Sequence, residues 1–134
     1  MDVKRIVKGD PEYDFCYAKA TVWWDFWKFP PPPIDFLPNN MICAYNKGVP
    51  VCVGFLYHTD SKISWLEFIV ADNKASKVDR AKGIEDVLSA AKILANLMGF
   101  GSVFTTSKNQ SLNHKLEKQY IKTDMGVTHF VGRV

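Results

Sequence analysis

Apolar residues along this chain follow two different periods, one on each side of a polar stretch that begins at Asp72. Over 63–71, ISWLEFIVA, only Ser64 and Glu67 are polar. A strand here has no solvent face of its own and is expected to be central and covered on both sides. Glu67 is the exception that such a strand has to accommodate. Further on, Ala81, Ile84, Val87, Leu88, Ala91, Leu94, Ala95 and Met98 recur every three or four residues, which predicts an amphipathic helix beginning near Arg80. Glu85, Asp86, Ser89, Lys92 and Asn96 fall on its polar side, and Arg80 and Gly83 belong to the loop that leads into it.

Before this pair, valine and isoleucine alternate with basic residues over 3–7, the pattern of a half-exposed edge strand, and Gly9, Asp10 and Pro11 break it. Asp10 is placed to cap a helix with Pro11 at its first position, running to about Phe29 on an apolar stripe of Phe15, Ala18, Val22, Trp23 and Phe26. Pro30 to Pro33 stop it and make 29–40 a stiff connector. Residues 41–45 and 49–57 then read as strands around an Asn46-Lys47-Gly48 turn, and a second turn at 59–62 completes an antiparallel meander with 63–71. After the long helix, Gly99 and Gly101 end it, and 102–106 reads as a strand whose crossover implies a parallel neighbour. A short helix over 107–118 and a closing hairpin, 120–124 with 127–134, finish the chain.

Composition narrows the function. With 134 residues and 47% hydrophobic content, residues 1–134 form a single domain with a sizeable core. Seventeen basic and fourteen acidic residues give a net charge of +3, too small to imply a nucleic-acid partner though compatible with a polyanionic ligand. Cys16, Cys43 and Cys52 have no paired spacing, so they read as reduced, buried thiols of a cytoplasmic protein. No apolar run approaches the roughly 18 residues of a membrane span, and a soluble protein without a membrane partner is expected. His58, His114 and His129 lack ligand spacing, so no metal is expected.

The order of elements resembles the GCN5-related N-acetyltransferase fold. That resemblance implies an α/β (α+β) architecture: a mixed central sheet, an antiparallel meander followed by a β-loop-α-β unit with an acetyl-CoA cleft, and helices on both faces. Arg80-Ala81-Lys82-Gly83-Ile84-Glu85 resembles the family's Q/R-x-x-G-x-G/A signature, with Glu85 where the family has a small residue. In such a loop the helix amino terminus meets the cofactor pyrophosphate, Gly83 lets the backbone come close, and Lys74 and Lys77 reach toward the adenosine 3′-phosphate. Read from spacing alone, the same stretch is equally a solvated, lysine-rich loop. Asn109 matches the family asparagine that contacts the pantetheine arm, and Leu112 replaces the small residue beside it. Leu116 falls on the tyrosine that protonates the departing thiolate, which leaves Tyr120 as the acid or as a core aromatic. The size of the chain and its Leu116-Glu117-Lys118 ending are also similar to those of small bacteriophage-encoded acetyltransferase-like proteins.

Glu67 is the catalytic candidate, because burial in a covered strand raises a carboxyl toward the range of a general base, and the family often places a glutamate on this strand. The alternatives are a carboxylate paired with Arg5 or a lysine, or one facing solvent at a sheet edge. The resemblance also implies that the backbone of Ile69, Val70 and Ala71 pairs with the pantetheine arm where two strands splay. Trp23, Trp24, Trp27 and Phe29 lie where the family lines its acceptor cleft, and each can equally be core. The expected activity is transfer of an acetyl group from acetyl-CoA to an amine of a small molecule or protein, in a monomer or homodimer. The alternative is an inactive module of the same fold that binds coenzyme A or a protein partner.

Overall fold

A computed structural model describes residues 1–107, 110–120 and 132. The elements run β1 (Asp2–Val7), α1 (Pro11–Phe26), a 3-10 turn (Ile34–Phe36), β2 (Asn40–Asn46), β3 (Val49–Tyr57), β4 (Ile63–Ala71), α2 (Lys77–Leu97), β5 (Ser102–Thr105) and α3 (Gln110–Glu117). The strands form one sheet in sequence order, antiparallel from β1 to β4 and parallel between β4 and β5. Local chemistry accounts for the joints. Lys47 and Gly48 both take positive φ, 51° and 80°, which makes the two-residue turn whose twist suits an antiparallel hairpin. Asp10 accepts a hydrogen bond from the Glu12 N–H to cap α1, and Ser76 does the same for α2 through the Asp79 N–H.

The two faces of the sheet are covered by different helices. On one, α2 packs Val87, Leu88, Ala91 and Ala95 against Ile42, Ala44, Cys52, Leu56 and Leu66. On the other, α1 and the proline connector cover Met41, Cys43, Tyr45, Val53, Phe55 and Val70. The expected mixed sheet with helices on both faces is therefore present. All three cysteines are buried. No described helix is long and apolar enough to cross a membrane, and the expected closing hairpin lies outside the described residues.

The first helix buries a different face from the one its sequence suggested. Tyr13, Cys16, Ala20, Trp23 and Trp24 are buried, whereas Phe15, Val22 and Phe26 are exposed. Both sets have helical spacing, so periodicity alone could not choose between them. Hydrogen bonding distinguishes them: the Tyr13 and Tyr17 hydroxyls donate to the carbonyls of Pro38 and Pro32, and Lys8 Nζ donates to those of Ile34 and Leu37. A polyproline segment cannot satisfy its own carbonyls, and the α1 face that carries tyrosines supplies the donors.

Candidate active site

The site is made by an irregularity in β4. Phe55 pairs with Glu67 and Val53 with Val70, so Gly54 alone faces two residues, Phe68 and Ile69. This is a β-bulge, and Phe68 accommodates it with a φ of 56°, a left-handed conformation that costs a bulky residue about 1–2 kcal/mol. Gly54 is required opposite it, since a Cβ there would lie 2.8 Å from Val87 Cγ1 and 3.2 Å from Leu66 Cδ1. The bulge also turns β4 away from its parallel neighbour. Pairing with β5 runs from Ile63 with Ser102 to Leu66 with Thr105 and ends there. From Glu67 onward the β5-side edge of β4 has no strand partner among the described residues, and the pairing of the two strands ends.

Glu67 stands where this pairing ends. Both carboxylate oxygens lie 3.2 Å from Thr106 Oγ1, the hydroxyl donating from the opposite arm. Burial pushes the carboxyl up to about 7, opposed by the Thr106 hydrogen bond, which favours the charged form. No ion pair involves Glu67 among the described residues, and Arg5 is held by the Asn40 side chain at 2.7 Å. The structural alternative of a Glu67–Arg5 pair is thereby removed. A half-buried carboxylate whose pKa is raised toward neutrality, placed where two strands part, can take a proton from a bound ammonium.

No family model matches the chain, and no curated protein matches it in sequence. Solved structures do match its architecture. A probable acetyltransferase superposes with a TM-score of 0.75 at 12% identity, covering 100% of this chain and 98% of that chain. An aminoglycoside acetyltransferase from an uncultured soil metagenomic sample, in complex with sisomicin, gives 0.70 at 14%, with 99% and 95% covered. An aminoglycoside N-acetyltransferase in complex with CoA gives 0.59 at 17%, with 99% and 100% covered. The chain has the GCN5-related N-acetyltransferase fold.

Within this acetyltransferase fold, several residues expected to contact the cofactor are arranged differently. Helix α2 starts at Lys77, and the Arg80 N–H already donates to the Ser76 carbonyl. The N–H groups ahead of the first intrahelical bond are thus those of Lys77 and Val78, while Ala81, Lys82, Gly83 and Ile84 lie inside the helix. Gly83 faces the sheet, where a Cβ would meet Cys52 Cβ at 3.1 Å, so it serves helix packing. Ile84 packs on the same α2-side core. Lys82 is turned along the helix to Asp86 at 3.0 Å. Glu85 is nine residues beyond Ser76, about 13 Å along the axis, too far to oppose a phosphate at the helix start. Arg80 remains near that start, its guanidinium donating to the Ala75 carbonyl at 2.6 Å and lying 5.6 Å over the Trp27 ring.

At the far end of the β5-side edge of β4, Trp27 Nε1 donates to Ala71 O at 2.9 Å. Because the Asp72 N–H of the same peptide donates to Val51 on β3, the Ala71 carbonyl points the opposite way, toward the unpaired edge. Val70 belongs to the core under α1, and Ile69 packs on the α2 side. At the end of the β4–β5 pairing, the Thr105 hydroxyl is buried without a hydrogen-bond partner among the described residues. An unpaired strand edge beside an orphaned hydroxyl fits an extended ligand with amide groups, such as a pantetheine arm.

The remaining candidates separate clearly. Trp23 and Trp24 are buried, Trp24 stacking on Phe55 at 6.0 Å, and are core rather than acceptor residues. Trp27 and Phe29 are each 46% exposed, and Phe29 meets the bulge residue Phe68 edge-on at 6.2 Å. Tyr120 packs against the α2-side core and donates its hydroxyl to Leu88 O at 3.0 Å, and burial raises it to about 12, which suits a core aromatic better than an acid. Leu112 and Leu116 pack on that core too. Asn109 lies outside the described residues. Sequence reasoning missed Thr106, Phe68 and the bulge itself. The available signal was Gly54 inside an otherwise apolar strand, where glycine marks a bulge or a close approach.

Proposed function

We propose that the protein is an acetyl-CoA-dependent N-acetyltransferase in which Glu67 is the general base. The observation that carries this reading is the half-buried Glu67 carboxylate, poised near neutrality where β4 and β5 part and, among the described residues, bonded across the gap to a hydroxyl and to no cation. Bound acetyl-CoA supplies the activated acetyl group as a thioester. The free edge of β4 and the Thr105 hydroxyl receive its pantetheine arm, and the first turn of α2, with Lys77 and Arg80, receives its phosphates. Glu67 would take one proton from the acceptor ammonium; bound acetyl-CoA would offer its acetyl carbon to the freed amine, the carbon–nitrogen bond forming as the carbon–sulfur bond breaks, and the departing thiolate would leave as the thiol with the second proton that the nitrogen gives up. The CoA complex of the structurally similar aminoglycoside N-acetyltransferase supports the choice of cofactor.

The test is the pH profile of acetyl transfer, read as thiol release, together with calorimetric titration of acetyl-CoA. A rising limb with its midpoint near 7 is expected. Glu67→Gln should abolish that limb and lower kcat/KM by roughly 10²–10⁴ while acetyl-CoA affinity is kept. Absence of acetyl-CoA binding at millimolar concentration would overturn the proposal. A second reading, a module that binds coenzyme A without turning it over, is favoured by the engagement of Tyr120 with the α2 backbone, which leaves no tyrosine acid at the expected position. Binding with no thiol release from any primary amine selects that reading.

A further inference from the structure

Beside Glu67, on the same face of the sheet, lies an aromatic surface that no part of the proposed chemistry uses. Trp65 and Phe104 are register partners on β4 and β5, with ring centroids 5.2 Å apart, and are 36% and 41% exposed. One pleat further along the same two strands come Glu67 and Thr106, joined by their hydrogen bonds. The four side chains therefore form a tile, two rings at one end and one carboxylate with its hydroxyl at the other. Side chains two residues apart on a strand are separated by about 6–7 Å. On the β3 side the tile continues in Tyr57, the register partner of Trp65, whose phenol is raised to about 12 by burial and by the Glu67 charge. Phe68 closes it, 6.4 Å from the Tyr57 ring.

Resting on the acetyltransferase reading, we propose that the acceptor is a primary monoamine joined by a short linker to a flat aromatic body. Its ammonium meets Glu67 and its ring lies on Trp65 and Phe104. The distance across the tile matches a linker of two or three atoms. Charge complementarity limits the acceptor to one ammonium at this surface, since burial and the Thr106 hydroxyl are the causes of the Glu67 shift and no charged side chain contributes among the described residues. A polycation such as sisomicin, the molecule bound to one structurally similar enzyme, would press its further ammonium groups against rings. Those groups would lose hydration and gain only cation–π attraction in return.

The test compares tryptamine with sisomicin as acceptors for the full chain, again by thiol release from acetyl-CoA. Tryptamine is expected to have a kcat/KM at least about tenfold higher. Trp65→Ala should raise its KM by roughly tenfold, with kcat and acetyl-CoA affinity unchanged, and Trp65→Phe should restore it. Phe104→Ala gives the same readout should the tryptophan variant fail to fold. Equal or better turnover of sisomicin, or a fall in kcat at constant KM in these variants, overturns the aromatic acceptor while leaving the transferase intact. No release with either amine, and none with a wider set of primary amines, overturns both.

Discussion

The two halves of β4 each carry a single polar residue in an apolar run, Ser64 in one and Glu67 in the other, and have different roles. All of 63–66 pair with β5, Trp65 and Leu66 pair with β3 as well, and Leu66 is fully buried between α2 and the sheet. Residues 67–71 have a strand partner on the β3 side only among the described residues, begin with a half-buried carboxylate, and contain a backbone in the left-handed region. A strand interior that satisfies its hydrogen bonds on both sides has no backbone group left with which to bind, and offers a ligand only its side chains. The bulge at Phe68 withholds one edge from the sheet, and that unsatisfied edge is what a ligand can use.

The contrast can be broken most severely in the paired half. Leu66→Ala should cost about 2–5 kcal/mol in a urea titration, with acetyl-CoA affinity of the folded protein preserved. A loss of affinity without loss of stability would mean that Leu66 belongs to the cofactor site. Gly54→Ala attacks the boundary itself: a methyl group 2.8 Å from Val87 Cγ1 forces α2 or the bulge to shift, at about 1–3 kcal/mol, and here cofactor affinity should fall along with stability. Wild-type behaviour of that variant would show that the bulge does not depend on glycine opposite it. Ser76→Ala removes the cap of α2 and should cost about 1 kcal/mol, with melting temperature as the readout.

The smallest effect on stability is expected within the open half. Folding raises the Glu67 pKa, so the native state holds that proton more tightly than the unfolded chain does. Its contribution therefore becomes less favourable as pH rises from the usual carboxylate range through about 7. Glu67→Gln should flatten this part of the melting-temperature profile. A steeper profile in the variant would contradict the burial of the carboxylate.

Much of the scaffold could be read from the chain because its signals are local. Asp10 and Pro11 start α1, Lys47 and Gly48 turn a hairpin, and the spacing from Ile84 to Ala95 selects the buried face of α2. Glu67 stood out for a related reason, being a lone carboxylate in an apolar run. Helix α2 starts three residues before the Arg80 expected from the motif, because Ser76, whose hydroxyl accepts the Asp79 N–H, is the residue that caps its first turn. For α1, two apolar stripes were equally regular, and only the carbonyls of a connector distant in sequence chose between them.

By itself the sequence determined which segments are strands and helices, where they turn, and which carboxylate is out of place, since these follow from periodicity, capping and desolvation acting over a few residues. Tertiary structure alone decided that Gly54 faces a bulge, that β5 leaves β4 after Leu66, and that Thr106, Trp65 and Phe104 gather around Glu67. Those relations join residues as many as 39 apart through register and strand splay. Register is fixed by the packing of the whole sheet against its two helices, and no single stretch of the chain carries that information.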